Sequence, residues 1–106
     1  MRGALWVAED RATGEVVGYA GVEVSALWGE MDIINIAVPA GARRRGVGSL
    51  FIQRIVRLCR QRGVPLLWLR VRASNLGARR FYRRLGFRER ARLFVLWHSR
   101  STGRRL

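Results

Sequence analysis

The sequence contains no lysine, one cysteine, one histidine and two prolines, and these scarcities exclude several classes of protein. A single thiol, Cys59, rules out an internal disulfide. One cysteine and one histidine, His98, cannot build a metal cluster, so no metal site is expected. No apolar run reaches the ~18 residues that a membrane-spanning helix requires, and the apolar stretch after Met1 is too short for a secretory signal. We therefore expect a cytoplasmic protein with no membrane partner.

The basic residues are all arginines, 21 of them against seven acidic residues, which gives a net charge of +14. Because lysine is absent altogether, this charge indicates a composition bias as much as a function. A positive surface still attracts anions such as cofactor phosphates, an acidic peptide or RNA. Since no nucleic-acid motif or strand pattern of stacking aromatics accompanies the arginines, we expect only nonspecific contact with nucleic acid.

Hydrophobic periodicity and turn residues predict seven elements in the order β-β-β-α-β-α-β. Their bounds are 5–9, 16–24, 31–38, 47–62, 66–72, 76–85 and a last strand from 87 to 97. The composition of 31–38 predicts a strand that is buried on both faces. A hairpin followed by a parallel crossover predicts an α+β fold, with helices covering a mixed, mostly antiparallel sheet. We expect one domain over 1–98 and a mobile tail over 99–106.

The predicted helix 47–62 has a clear apolar face and a clear end. The face is formed by Val47, Leu50, Phe51, Ile55 and Leu58, which follow helical spacing. Gly63 stands where a C-cap glycine belongs. Cys59 lies within the helix, and we interpret it as a small buried core residue rather than a nucleophile, because no basic partner is near it in the sequence.

The segment from Val38 to Ser49 joins an apolar strand to the start of this helix. A helix N-terminus directs unpaired backbone N–H groups and the positive end of the helix dipole toward one point. Gly46 and Gly48 let the backbone approach a ligand closely, and three arginines precede them. A diphosphate fits such a site. The alternative is an ordinary loop with an exposed arginine cluster, and the turn alone does not decide between the two.

Two other phosphate-binding motifs are excluded by single residues. A P-loop requires a lysine after its last glycine, and the chain has none. A dinucleotide-binding turn requires a third glycine, and Phe51 occupies that position. The turn therefore belongs to another kind of phosphate site or to none.

The turn Arg43-Arg44-Arg45-Gly46-Val47-Gly48 resembles the acetyl-CoA signature of the GNAT acetyltransferase superfamily. In that signature an Arg or Gln is followed by two residues, Gly, one residue, and Gly or Ala. Three more segments are similar to family blocks in the correct order: 35–39, which resembles the bulged strand beside the pantetheine arm, 69–75 and 81–87. The combination is most similar to the RimI-like ribosomal-protein alanine N-acetyltransferases. The resemblance covers about 5–90 and implies the GNAT fold, in a chain that begins after the family's usual first strand and helices.

The resemblance implies an enzyme that transfers acetyl from acetyl-CoA to an amine, most directly a protein N-terminal α-amine. The implied partners are acetyl-CoA and a protein or peptide acceptor, for which a ribosomal protein is one candidate. The first hairpin would present an open edge and apolar surface, which a homodimer would cover. Two alternatives stay open: a CoA-binding but catalytically impaired remnant, and a basic RNA-binding module.

The resemblance also implies roles for individual residues. The backbone of 36–38 would contact the acetyl and pantetheine groups, and an N–H there could steady an oxyanion. Tyr82 would act as the catalytic acid that protonates the departing thiolate, with core packing as its alternative role. Asn75 would bind the cofactor arm or, equally well, cap a helix. The implied cofactor-binding residues are Ile36, Ala37, Val38, Arg43, Arg44, Arg45, Gly46, Val47, Gly48, Ser49 and Asn75.

Two departures from the family pattern affect this interpretation. Similar proteins carry a glutamate as general base where this chain has Arg70, and arginine does not accept a proton. An α-amine with a pKa of ~7.7–8.0 is partly neutral without a base. Asp32 or Glu30 could act as a base through water, but the pattern favours the alternative that both are solvated charges at the start of a strand. After Phe87 the family usually has two strands, whereas 99–106 does not have a strand pattern.

Overall fold

The computed structural model describes residues 3–25, 30–43, 46–89 and 95–99. The elements are β1 (Gly3–Glu9), β2 (Val16–Ser25), β3 (Glu30–Ala37), a 3-10 turn (Ala40–Ala42), α1 (Val47–Arg62), β4 (Leu66–Arg70), α2 (Leu76–Arg84), β5 (Arg88–Glu89) and β6 (Val95–Ser99). The six described strands form one sheet in the order β1-β2-β3-β4-β6-β5. Strands β3 and β4 are parallel and the other neighbouring pairs are antiparallel, which confirms the predicted mixed sheet with a crossover.

The turn between β1 and β2 is fixed by Asp10. Its Oδ1 accepts hydrogen bonds from the backbone N–H of Ala12 at 2.8 Å and of Thr13 at 3.2 Å. Gly14 follows with a φ of 75°, which a residue with a side chain rarely adopts. An aspartate that bonds its own backbone and a left-handed glycine therefore reverse the chain, as the sequence predicts.

Helix α1 packs over β2, β3 and β4 and buries Phe51, Ile52, Ile55, Val56 and Cys59. Leu50 was expected on this buried face, but it is 45% exposed, so that prediction was wrong; the buried face begins at its neighbour Phe51. Gly63 is the C-cap, with a φ of 68°, as predicted. No described helix has both the length and the low polarity that crossing a membrane would require.

Cys59 is a core residue, as predicted. Its Sγ lies 3.6 Å from Sδ of Met31, which is completely buried. Burial raises the pKa of the Cys59 thiol to about 11. The thiol therefore stays protonated at neutral pH and is not a nucleophile.

Strand β3 is not buried on both faces, contrary to the prediction. Met31 and Ile33 are buried under α1, whereas Ile34 is 53% exposed and Asn35 is also exposed. Ile34 lies on the face opposite Ile33 by ordinary strand alternation, and α1 covers only the face that carries Met31 and Ile33. A bulge adds Asn35 to the exposed residues, because Gly21 of β2 pairs with Asn35 and the next residue, Val22, pairs with Ile33, which leaves Ile34 unpaired and shifts the alternation.

The predicted last strand is in fact two strands. Arg88 and Glu89 of β5 pair antiparallel with Trp97 and Leu96 of β6. Strand β6 lies between β4 and β5, where it pairs with β4 over its whole length. Ser99, the first residue of the predicted tail, ends β6, and 100–106 lie outside the described residues.

Helix α2 is joined to β5 by an ion-pair cluster around Glu89. Nε of Arg79 donates to Oε1 of Glu89 at 2.9 Å, and Nη2 of Arg79 donates to Oε2 at 3.2 Å. Arg83 adds a third hydrogen bond to Oε1 at 2.8 Å. The hydrogen bond from Arg79 is the main reason why the pKa of Glu89 is lowered. The ionised carboxylate therefore stabilises the fold.

Replacing Glu89 with glutamine is expected to lower the melting temperature at pH 7. Because the pKa of Glu89 is lower in the folded chain than in the unfolded chain, its contribution is complete above the ordinary value of 4.5 and is lost as the pH falls further. The difference between the variant and the parent should shrink in melting curves taken from pH 7 to pH 3. Glu15→Gln, in the exposed β1–β2 turn, is the control. Equal melting temperatures at pH 7 for parent and Glu89→Gln would contradict the assignment.

Candidate active site

Strands β3 and β4 diverge in the middle of the sheet. Their parallel pairing ends at Ile33 and Leu69, while β3 continues to Ala37 beside β2 alone. A cleft of about 510 Å³ lies at the divergence, lined by 32–36 of β3, by 69–72, and by α2 residues with the N-cap. Beyond Ile33 the backbone groups of β3 that face β4 have no strand partner within the described chain. The cleft therefore has a polar backbone edge that can bind an extended ligand.

Gly46 is the N-cap of helix α1 and adopts a left-handed conformation with a φ of 78°. No side chain caps this end, and no acidic residue lies in the first turn. Since the first amides of a helix have no partner within it, the N–H groups of Val47, Gly48 and Ser49 are available to a ligand. A Cβ placed on Gly48 would lie 3.2 Å from Cζ of Phe81, so this end of α1 lies against α2.

The loop before α1 is braced by Arg43. Its Nε donates a hydrogen bond of 3.1 Å to the carbonyl of Val38, so part of the guanidinium supports the turn. The remaining N–H groups of Arg43 stay predicted contacts for phosphate. Arg44 and Arg45, which were predicted to bind the cofactor, lie outside the described residues.

Tyr82 lies on the wall of the cleft and is 6% exposed. Its ring packs edge-on against Phe81 at 5.0 Å and Phe87 at 5.7 Å between centroids. Phe81 instead lies beside Gly48 at the start of α1, so only Tyr82 of this aromatic pair lines the cleft. Burial raises the pKa of the Tyr82 phenol to about 12.

Asn75 is both a helix cap and a residue of the cleft. Its Oδ1 accepts a hydrogen bond of 3.1 Å from the backbone N–H of Ala78, which caps α2. The residue also lines the cleft. Because the cap uses only the oxygen, the Nδ2 donors of the side chain remain available for a ligand.

Asp32 and Arg70 both line the cleft and lie close to each other. Asp32 is directly opposite Trp68 in the parallel pairing, and Arg70 follows Trp68 by two residues on the same face of β4. Oδ2 of Asp32 is 4.0 Å from Nη1 of Arg70. Desolvation raises the pKa of Asp32; Arg70 opposes this shift, and Glu23 adds to it.

The structure brings only some of the predicted residues to the cleft itself. Ile36, Asn75 and Tyr82 line it, while Ala37 and Val38 continue the same strand toward the arginine turn. Val47, Gly48 and Ser49 form the first turn of α1, as described above. Seven lining residues had no individual role predicted for them: Ile33, Ile34, Asn35, Leu69, Val71, Arg72 and Ala78. Arg72 alone had a usable signal, since it follows Arg70 by two residues at the predicted end of a strand.

The sequence of this chain is similar to those of known acetyltransferases. The model of the acetyltransferase (GNAT) family matches residues 1–87. The ribosomal protein bS18-alanine N-acetyltransferase of Salmonella typhimurium is 43% identical over 60 residues, which are 57% of this chain and 40% of that protein. Streptothricin acetyltransferase of Streptomyces lavendulae is 37% identical over 76 residues, 72% of this chain and 40% of that one.

A solved structure agrees with these relatives. The ribosomal-protein-S18-alanine N-acetyltransferase of Escherichia coli superposes with a TM-score of 0.76 and 32% identity, over 85% of this chain and 56% of that one. The chain thus spans about half the length of the relatives that it matches. Since the family model covers most of the sequence and the structure has the same fold, this chain belongs to the acetyltransferase (GNAT) family.

Proposed function

We propose that this chain binds acetyl-CoA and transfers the acetyl group to an amine, most directly the α-amine of a protein N-terminus, in the cytoplasm. The observation that carries the proposal is the cleft at the divergence of β3 and β4, with Tyr82 on its wall. The similarity to ribosomal-protein alanine N-acetyltransferases supports a protein acceptor. The similarity to a streptothricin acetyltransferase supports acetyl transfer but leaves the acceptor class open.

Acetyl-CoA fits the residues that are present. Its diphosphate requires a concentration of N–H donors and positive charge without a nearby carboxylate, and the uncapped first turn of α1 provides this. Its pantetheine arm carries amides that can pair with an open strand edge, and the backbone of Ile36 and Ala37 lies beyond the last pair with β4. Val38 and Arg43 lie between these two regions. A backbone N–H in this stretch would stabilise negative charge on the acetyl oxygen.

Asp32 and Tyr82 would move the two protons of the reaction. Asp32 is the one acidic residue that lines the cleft in the described chain, and it would accept the proton of the attacking amine through a water molecule. Tyr82 would donate its phenolic proton to the sulfur atom that leaves. One N–H bond breaks, an amide C–N bond forms, the C–S bond breaks, and the sulfur gains the proton.

Proton donation by Tyr82 is harder in this environment than for a phenol in water. A rise in pKa from 10.0 to about 12 makes the phenol a weaker acid by about 3 kcal/mol. The same low-polarity wall would raise the pKa of the leaving thiol, which offsets part of this cost. Tyr82 thus remains protonated throughout the working pH range and is ready to donate.

Acetyl-CoA is expected to raise the melting temperature of the chain. A ligand present at about 100 times its Kd and bound only to the folded state adds about 2.7 kcal/mol, which corresponds to about 10 °C or more for a domain of this size. The shift should exceed that given by equal ATP in moderate salt, because salt suppresses nonspecific anion binding. A folded chain that gives equal shifts with both ligands contradicts the proposal. A shift without acetyl transfer to any amine supports the alternative of an impaired CoA-binding remnant.

Two glycine variants give this measurement a matched control. Gly46 and Gly63 stand at opposite ends of α1 with φ values of 78° and 68°, and a Cβ on either meets nothing within 4 Å. Alanine at either position therefore carries a similar backbone penalty, about 1–2 kcal/mol. Only Gly46→Ala should also weaken the acetyl-CoA shift, because its methyl group and changed backbone lie at the N–H groups that bind phosphate. Equal loss of the shift in both variants would indicate a general effect of instability.

A further inference from the structure

The cleft is lined by more basic residues than acidic residues. Asp32, Arg70 and Arg72 are the charged residues among those that line it, and the other lining residues are apolar, asparagine or tyrosine. Two arginines line the cleft with one carboxylate, so the lining carries a net positive charge when all three are ionised. A purely cationic acceptor would meet net repulsion there, whereas an acceptor with a carboxylate would be attracted.

The guanidinium of Arg70 is more available to a ligand than that of Arg79, because it is more exposed and makes fewer contacts. Arg79 donates two hydrogen bonds to Glu89 and a third of 3.0 Å to the carbonyl of Ala73, and its side chain is 20% exposed. Arg70 is 75% exposed, and its polar contact within the described chain is the 4.0 Å approach to Asp32, beyond hydrogen-bond length. An exposed pair at such a distance contributes little to stability, about 0–1 kcal/mol.

The carboxylate of Asp32 and the guanidinium of Arg70 together complement a ligand that carries an ammonium group and a carboxylate. An amine that approaches Asp32 as an ammonium group would place a neighbouring carboxylate beside Arg70, because the two protein groups are 4.0 Å apart. An N-terminal aspartate or glutamate carries its amine and its side-chain carboxylate within a few ångströms of each other. The planar guanidinium can bind that carboxylate through two parallel hydrogen bonds. Arg72, two residues further along, adds positive charge on the same side.

We propose that Arg70 selects the acceptor: it binds a carboxylate next to the reacting amine, so the preferred acceptors begin with glutamate or aspartate. This inference rests on the proposed acetyltransferase function and names its substrate class. The same chemistry is present in free glutamate and aspartate, and the experiment must therefore separate a peptide N-terminus from a free amino acid.

The test compares kcat/KM for peptides that differ only in their first residue: Glu, Gln, Ala or Lys, with free glutamate as a further acceptor. The Glu peptide should exceed the Gln peptide by about 10-fold or more, as expected for a charge-assisted hydrogen bond. Arg70→Gln should remove this ratio mainly through KM, and Arg70→Lys should restore part of it. Arg57→Gln, which removes the same charge from the exposed face of α1, should leave the ratio intact.

Each outcome bears on a separate statement. Equal efficiency with Glu, Gln and Ala peptides overturns the inference and leaves the acetyltransferase function in place. An unchanged Glu/Gln ratio in a folded Arg70→Gln variant overturns the role of Arg70 in the same way. Acetylation of free glutamate above the Glu peptide keeps the carboxylate site and overturns the peptide acceptor. Failure to acetylate any amine, despite a thermal shift with acetyl-CoA, removes the proposed function and this inference with it.

Discussion

Tyr82→Phe is expected to lower kcat by about 100-fold, because general acid catalysis by a positioned side chain contributes a factor of about 10²–10⁴. The substitution removes only the hydroxyl group, and the ring can keep its edge-on contacts with Phe81 and Phe87. Melting temperature and affinity for acetyl-CoA should therefore change little. The measurement is the steady-state rate of thiol release, with a saturating amine acceptor.

The chain offers a matched control for this substitution. It has two tyrosines, and Tyr19 on β2 is 44% exposed and does not line the cleft. Tyr19→Phe should keep the parental kcat. A fall in kcat shared by both variants would argue against a specific role for Tyr82. Full activity of Tyr82→Phe would return Tyr82 to its alternative role in packing.

The pH profile separates an acid from a packing residue in a second way. With a pKa of about 12, Tyr82 stays protonated up to roughly pH 10, so its ionisation adds no falling limb to the parental rate below that pH. In the Phe variant the thiolate must leave without a proton donor. We expect the loss in kcat to shrink for a thioester with a more acidic leaving thiol, since such a thiolate needs less assistance.

The local features of this fold could be predicted from residues that are close in sequence. Periodicity located α1, and a capping residue followed by a terminating glycine located α2. Gly63 marked the end of α1 because a left-handed C-cap favours a residue without a side chain. The error at Leu50 had a local cause as well. Leu50 is apolar and correctly spaced for helix packing, but the sheet beneath α1 contacts the face formed by Phe51, Ile52 and Ile55 instead.

Non-local features could not be predicted in the same way. The position of β6 between β4 and β5 depends on pairings such as Leu66 with Ser99, which no local pattern encodes. The bulge at Ile34 depends on the register with β2, and an apolar residue there looks like a core residue in the sequence.

The candidate site shows the same division. The arginine-glycine turn is contiguous, so its chemistry and its place before a helix were both visible. The contact between Asp32 and Arg70 joins residues that are far apart in the chain and depends on the parallel register that puts Asp32 opposite Trp68. The sequence offered Asp32 and Glu30 as equal substitutes for the missing glutamate. Only the structure separates them, because Asp32 lines the cleft and Glu30 does not.

Asp32→Asn is expected to lower kcat/KM by about 100-fold at pH 6.5, since asparagine cannot accept the proton of the amine. The loss should shrink above the α-amine pKa of ~7.7–8.0, where the acceptor is already neutral and needs no base. Glu30→Gln, on the same strand, is the comparison, and a loss confined to that variant would transfer the role to Glu30. A loss in Asp32→Asn that is equal at pH 6.5 and pH 9 would contradict general-base catalysis.

The same variant should be more stable than the parent at neutral pH. Desolvation raises the pKa of Asp32 above its ordinary value of 3.8, so the folded chain binds a proton that the unfolded chain has already released. Parental stability therefore falls as the pH rises from 3.8 through the raised pKa, and Asn removes that fall. The melting temperature of the Asn variant should therefore rise relative to that of the parent between pH 3 and pH 7. A variant that instead loses stability over this range would mean that the ion pair with Arg70 outweighs desolvation, and Asp32 would then be a structural residue.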